Sequence, residues 1–226
     1  MSVDYNNFAK TFSNSRIKMK WEEIDYFLSF LPSPHPSPLK EMDFSILDIW
    51  CWNWRFLWVL KGKNINFNNY LWVDLSKWLL EEAKKIYPKN NFLELNMIDL
   101  DKINLKFDYI FFIASFHHLD NLSDREEVLK KAYKLLNKNW KIFMTNWALN
   151  SELNEKKYSK SIINNSKNKF WSLDYSIKIW EFTRYYHCFS LDELEYLFTE
   201  TWFNVIENRL FENRRNFISI IQKKWD

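Results

Sequence analysis

Apolar residues recur at helical spacing in MKWEEIDYFLSFL, residues 19–31. Trp21, Ile24, Phe27, Leu28 and Leu31 share one face there and predict an amphipathic helix. Proline at alternate positions of PSPHPSP, 32–38, ends that helix and predicts an extended connector. Short apolar runs then predict strands at 44–49, 69–74, 91–95, 107–113 and 140–146. Helical stretches at about 54–61, 76–87 and 121–137 separate them. Strands alternating with helices predict a parallel sheet covered on both faces. A polar stretch rich in Asn, Lys and Ser, 150–180, interrupts the pattern. A helix over 190–201 and two strands, 203–211 and 215–222, follow it, joined at ENRR. The expected fold is therefore α/β, a seven-stranded sheet with its last strand antiparallel and helices on both faces. Residues 1–38 form a helical cap and connector in this reading, and 39–226 one domain with an insertion at about 150–189.

At 226 residues, 47% apolar and 27% charged, the chain is expected to be globular. No apolar run approaches the ~20 residues of a membrane span, and the amino terminus lacks the basic start and apolar core of a secretory signal. A cytoplasmic protein with no membrane partner is expected. Cys51 and Cys188 are too few for a disulfide framework and lack metal-ligand spacing, so no metal is expected. The net charge of +3 suits a modest nucleic-acid interaction and equally an ordinary enzyme.

Glycine changes the picture. Average usage would give roughly 16 glycines; the chain has one, Gly62, and 13 tryptophans. Three of these, Trp50, Trp52 and Trp54, crowd DIWCWNWRF, 48–56, which becomes DIGCGNGRF if each is read as glycine. Trp72, Trp78, Trp140 and Trp202 also occupy places where glycine is expected, Trp140 and Trp202 at helix ends. Trp21 and Trp147 fit their apolar patterns. Trp and Gly codons meet through UGA, which some bacterial lineages read as glycine. A gene of that kind translated with UGA as Trp accounts for both the deficit and the placement.

A glycine loop between a strand and a helix lets backbone approach a ligand closely. Asp48 ends the first strand, and Asp74 ends the second in WVDLS, about 20 residues beyond the loop, as acids that bind ribose do. Both could instead cap helices. Ser76 is expected to cap the helix that follows.

With Trp read as Gly, LDIWCWNWRF resembles motif I of class I S-adenosylmethionine-dependent methyltransferases, whose Rossmann-like sheet has the strand pattern expected above. The resemblance implies S-adenosylmethionine as cofactor. Positions Trp50, Trp52 and Trp54 then lie against its methionine and ribose, and Asp48 faces the amino group. Asp74, with Leu75 beside it, takes the ribose hydroxyls. In LNMIDL, Asn96 would meet the adenine amine, and Met97 would give backbone contact and a soft lid. Ala114, in FFIASFHHL, would lie at the methionine end. His117 and His118 are expected to pack the loop.

A narrower resemblance rests on YNNFAKTFSNSR (5–16), Trp21, WAL (147–149) and RYYHCF (184–189). It is to the tRNA methyltransferases that esterify 5-carboxymethyluridine at the wobble position. That implies tRNA as partner and, as in eukaryotic members, a small accessory subunit. A carboxylate is already ionised at neutral pH, so its methylation needs placement more than a base. Arg184 is expected to hold the carboxylate or a phosphate, Tyr185 or Tyr186 to stack on a base, His187 to orient either, and Arg16 to close over the mouth. Lysines in 156–169 with Arg209, Arg214 and Arg215 read first as solvated surface and second as phosphate contacts. Two alternatives stand beside this reading. One is methyl transfer to a small molecule, such as a quinone precursor or carboxylic acid. The other is a protein that, as written with Trp, binds no cofactor.

Overall fold

The computed structural model describes residues 21–31, 42–49, 55–63, 67–164, 169–179 and 181–224. After helix α1 (Glu22–Leu28), the chain alternates β1 (Met42–Ile49), α2 (Arg55–Gly62), β2 (Phe67–Asp74), α3 (Lys77–Ile86), β3 (Asn91–Glu94), a 3-10 turn at Met97–Lys102, β4 (Phe107–Ile113), a second at Phe116–His118, α4 (Leu122–Leu135) and β5 (Leu136–Trp147). Then come α5 (Glu152–Tyr158), β6 (Ile162–Asn164), β7 (Leu173–Ile179), β8 (Phe182–Cys188), α6 (Leu191–Glu200), β9 (Phe203–Leu210) and β10 (Asn216–Lys223). Seven strands form one sheet in the order β3-β2-β1-β4-β5-β10-β9. β1 pairs in parallel with β2 and β4, and β4 in parallel with β5, while β10 runs antiparallel to both β5 and β9. The expected architecture, closing antiparallel strand included, is the one found.

The pleat divides the core into two layers. On β4, Tyr109, Phe111 and Ile113 join one cluster, and Ile110 and Phe112 the other; on β5, Phe143 opposes Ile142 and Met144 in the same way. Residues of α1, α2 and α3 cover the first face (Phe27, Phe56, Leu60, Leu80), and residues of α4 and α6 the second (Leu129, Ala132, Leu194, Leu197). With both faces covered, FDYIFFI is apolar almost throughout instead of alternating.

Helix starts follow the sequence. Ser76 accepts from the Leu79 amide at 3.3 Å, Asn121 from Asp124 at 2.8 Å and Ser190 from Glu193 at 3.1 Å. Helix α1 is tied to the far end of the sheet: the Tyr26 hydroxyl donates to Glu207 at 2.8 Å, and Glu23 accepts from Asn213 and Asn216.

Two expectations need correction. The polar 150–180 stretch, expected only to interrupt the pattern, forms α5 and most of a second, three-stranded antiparallel sheet, β6-β7-β8. Its β7, LDYSIKI, does alternate apolar and polar residues as a half-buried strand does, a short signal masked by the surrounding Asn, Lys and Ser. The glycine-like backbone is also differently placed. Among the described tryptophans, Trp171 (φ 59) and Trp202 (φ 67) adopt the left-handed conformation, Trp202 just past the end of α6 as expected. Near the start of β5, four residues past the end of α4, Asn139 (φ 73) takes the left-handed backbone, and its neighbour Trp140 does not, its ring lying against Tyr109. Trp72 is also a strand residue, wholly buried, whose indole N–H has no hydrogen-bond partner among the described residues.

Candidate active site

In an open α/β sheet, ligands bind beyond the carboxyl ends of the strands where the strand order reverses, here between β1 and β4. Asp48 and Asp74 stand at the ends of β1 and β2, both buried. The Tyr70 hydroxyl, from the neighbouring strand, donates to the Asp48 carboxylate. Asp74 Oδ1 accepts from the Ser76 amide at 2.8 Å, and its carbonyl accepts from Leu95 N–H at 3.1 Å. Burial pushes the Asp74 carboxyl up from 3.8 to about 7, against the opposing pull of the Ser76 amide, the Arg184 charge and the Leu75 amide. Leu75 itself is partly buried against the core.

The next segments complete the rim. Asn96 Oδ1 accepts from the Ile98 amide at 3.2 Å and starts the 3-10 turn. Met97 is wholly buried in the core, so its thioether is core packing and not the expected lid. Ala114 takes the left-handed backbone (φ 52), and its amide donates to both the carbonyl (3.1 Å) and the hydroxyl (2.9 Å) of Thr145. That bond binds the end of β4 to the end of β5. Trp50, Trp52, Trp54 and Arg16 lie outside the described residues.

RYYH, on β8, is divided by the pleat, and this corrects the expectation that Arg184, Tyr185 and His187 line one mouth. Successive side chains of a strand point to opposite faces. Arg184 and Tyr186 turn toward the 116–118 segment: Arg184 donates to His118 Nε2 at 2.9 Å, its guanidinium lies 5.6 Å from the Tyr186 ring centroid, and Tyr186 stacks on Trp147 at 4.9 Å. Tyr185 and His187 turn the other way into a buried ionic network. His187 Nδ1 meets Asp174 at 2.6 Å and Nε2 meets Glu193 at 2.8 Å, Tyr185 donates to Asp174 at 2.6 Å, and Arg125 pairs with Glu193 at 3.2 Å. Burial opposes ionisation of Glu193, but His187, Ser172 and Arg125 outweigh it and hold the carboxyl below its ordinary value. This network ties the second sheet to α4 and α6, and its position anchors Tyr185 and His187 instead of offering them to a ligand.

The paired histidines are neutral. Burial, with the charges of Arg184 and His187, lowers His117 to about 3, and its Nδ1 accepts from the Trp147 amide at 3.2 Å. Burial, Arg184 and His117 lower His118 well below 6.5. Because arginine only donates, His118 Nε2 must accept, which leaves Nδ1–H to donate to the Tyr185 carbonyl at 3.0 Å. The two rings pack the loop as expected and fix Arg184.

Sequence reading missed Ser115 and Asn146. Both are fully buried at the carboxyl ends of β4 and β5, and neither the Ser115 hydroxyl nor either polar atom of the Asn146 side chain has a hydrogen-bond partner among the described residues. Buried polar groups are rarely left so, and a polar ligand between these strand ends would satisfy them. The available signal was the change from apolar to polar in KIFMTNW, at the end of a central strand.

These donors and acceptors fit a zwitterionic nucleoside. Asp74 is a desolvated acid that two hydroxyls would satisfy, Asp48 suits an ammonium, and the orphaned groups of Ser115 and Asn146 suit a carboxylate.

Residues 47–139 match the family model described as a methyltransferase domain. A tRNA (carboxymethyluridine(34)-5-O)-methyltransferase of Saccharomyces cerevisiae is 27% identical over 161 residues, 70% of this chain and 51% of the relative, so the chain spans about half that protein's length. Among solved structures, an S-adenosylmethionine-dependent methyltransferase from Clostridium acetobutylicum superposes with a TM-score of 0.66 at 16% identity, covering 98% of this chain and 99% of the other. A methyltransferase from Haloferax volcanii, solved in complex with the Trm112 methyltransferase activator, superposes at 0.68 and 10% identity over 100% of each chain. The fold is that of these enzymes.

Proposed function

We propose that this chain, with its methyltransferase domain at 47–139, uses S-adenosylmethionine to methylate the carboxylate of a carboxymethylated wobble uridine in tRNA. The observation that carries the acceptor is Arg184: a guanidinium 3% exposed, held by neutral His118 and close enough to Asp74 for its charge to oppose the rise that burial causes there. A fixed cation beside the cofactor crevice is what an anionic acceptor needs, and its planar fork matches a carboxylate. The resemblance to the yeast enzyme supports the same choice.

Bound S-adenosylmethionine supplies an electrophilic methyl group. Asp48 and Asp74 would hold its ammonium and ribose, and Ser115 and Asn146 its carboxylate. Arg184 places the acceptor, and the His117–His118–Tyr186–Trp147 stack excludes water from that side. No residue needs to remove a proton, in keeping with the neutral, buried histidines. A small activating subunit belongs to this reading, supported by the Haloferax complex.

The test is transfer of labelled methyl to tRNA bearing 5-carboxymethyluridine by the chain with glycine at positions 50, 52 and 54, with and without such a subunit. The expected product is an ester that releases its label in mild alkali. Label on small carboxylic acids but not on tRNA would replace this acceptor with the small-molecule alternative.

The reading also bears on the tryptophans. We infer that Trp50, Trp52 and Trp54 stand for glycine read from UGA, a reading supported by Trp171 and Trp202, two bulky residues in a backbone conformation that glycine adopts without cost. UGA codons at these positions are expected. So is calorimetric binding of S-adenosylmethionine by the triple variant Trp50→Gly, Trp52→Gly, Trp54→Gly but not by the chain as written. UGG codons would end the idea.

A further inference from the structure

A cavity of about 350 Å³ opens where β5 ends, lined in part by Trp21, Trp147, Tyr158, Lys157, Arg215 and Asn216. None of the residues assigned above to S-adenosylmethionine lines it. Its walls are aromatic, and they are braced. Tyr186 covers one face of Trp147 with the two rings 5° from parallel, and Tyr158 lies 6.3 Å from the indole. Its rim is cationic: Lys157 and Arg215 are exposed and make no ion pair among the described residues, whereas neighbouring Arg214 is paired with Glu152.

Asn216 gives the cavity a polar recognition point. It is 5% exposed, and Nδ2 donates to Glu23 at 2.6 Å. Because a carboxylate accepts and does not donate, that bond fixes which way the amide faces. Oδ1 is left as a buried acceptor with no hydrogen-bond partner among the described residues. A ligand that brings an N–H would satisfy it.

A flat ring to lie against indole and phenol, an N–H for Asn216 and an anion for Lys157 and Arg215 together describe a nucleobase with its phosphate. The volume falls in the lower range of ligand pockets and suits one nucleotide. We propose that this cavity binds an unpaired nucleotide of the RNA substrate, next to the nucleotide whose carboxylate Arg184 holds. The proposal rests on the tRNA reading above and adds a second site to it. Trp147 joins the two sites. Its ring lines the cavity, its amide is bound by His117, and the ring stacked on it, Tyr186, lies under the Arg184 guanidinium. Neighbouring nucleotides would thus occupy the two sides of one aromatic wall.

The test uses the single-stranded RNA pentamer U5, labelled for fluorescence anisotropy, and the full chain carrying Trp50→Gly, Trp52→Gly and Trp54→Gly, which serves as the wild type for the variants below. Lys157→Glu with Arg215→Glu changes two exposed side chains, and a thermal melt checks that the fold is kept. Binding of U5 by the wild type, a loss of at least tenfold in the double variant and a several-fold loss in Asn216→Leu are expected, with S-adenosylmethionine binding unchanged in all three proteins. No binding of U5 by the wild type, or equal binding by the double variant, overturns the proposal. Methyl transfer separates this inference from the one beneath it. If U5 binds as expected but tRNA accepts no methyl group, the cavity stands and the proposed acceptor falls. If tRNA is methylated with the same KM by wild type and double variant, the acceptor stands and the cavity falls.

Discussion

Arg184 donates to Nε2 of His118 at 2.9 Å, and the bond sets the proton on the far nitrogen of a histidine that stays neutral. The cation is thereby oriented by a neutral partner, which holds the guanidinium without cancelling its charge. Arg184→Lys keeps that charge but loses the planar fork and the reach to His118. Loss of a charged hydrogen bond, about 1.5–3 kcal/mol, corresponds to a rise of roughly 10- to 100-fold in KM for the acceptor. The KM for S-adenosylmethionine is expected to change far less. Steady-state kinetics on both substrates, in the chain with glycine at positions 50, 52 and 54, check this; an equal rise in both constants would place Arg184 on the cofactor instead.

Asp74 makes stability depend on pH. Its folded pKa of about 7 lies above the ordinary 3.8, so between those values the folded chain holds a proton that the unfolded chain has lost. Stability from this group is present at low pH and is lost as pH rises toward 7, by an amount on the order of 4 kcal/mol. His117, lowered to about 3, acts oppositely, destabilising the fold as pH falls below 6.5. The informative quantity is therefore the difference from Asp74→Asn. That variant is expected to gain on the wild type by about 3 kcal/mol between roughly pH 5 and pH 8, measured by urea unfolding. A constant difference would contradict the burial argument.

Ligand binding should show the converse. Ribose hydroxyls donating to Asp74 favour its ionised form. In the chain with glycine at positions 50, 52 and 54, affinity for S-adenosylmethionine is expected to rise with pH, by up to about tenfold per unit below pH 7, and to level off above it. Calorimetry in buffers of different ionisation enthalpy should also detect a proton released near pH 6.

Trp171 and Trp202 strain the backbone. A left-handed conformation costs a bulky residue on the order of 1–3 kcal/mol. Trp171 is 71% exposed and has little burial to lose, so Trp171→Gly is expected to stabilise the chain by about 1 kcal/mol. At Trp202 the edge contact with Tyr133 offsets part of the gain, and Trp202→Gly should lie nearer zero. Trp72→Gly, in a strand and wholly buried, is expected to destabilise by about 3–5 kcal/mol. Urea midpoints of the three variants give the ranking.

Glu193 anchors the second sheet. Removing one member of a buried ionic network leaves its partners uncompensated, so Glu193→Gln is expected to cost about 3 kcal/mol. Its folded pKa is lowered, so this stabilisation is present above the ordinary carboxylate range and disappears as pH falls through the lowered value. Hydrogen exchange should locate the loss in β7 and β8. Protection lost evenly across the seven-stranded sheet would show that the network does not belong to the second sheet.

The seven-stranded sheet was legible because two-sided burial writes itself into sequence: FDYIFFI has no reading as an exposed strand. Asp48 and Asp74 were legible because strand ends and loop spacing confine them. The second sheet was missed although LDYSIKI alternates, because that short run lies in a stretch dominated by Asn, Lys and Ser, and its ties to α6 through Asp174, His187 and Glu193 span about 20 residues. RYYH misled for a different reason. A contiguous motif looks like a single site until the pleat sends alternate residues to opposite sides. Asn139, one residue before Trp140, shows the limit of placing a left-handed turn from a helix end alone.

The division of β8 has a consequence for how such an enzyme changes its substrate. Arg184 and Tyr186 turn toward the 116–118 segment, the side on which the acceptor is proposed to lie, while Tyr185 and His187 brace the strand from behind. Descendants of this chain could therefore replace the first pair and try new acceptors without disturbing the anchor, so that specificity and foldability are inherited on separate, alternating letters of the same seven-residue strand.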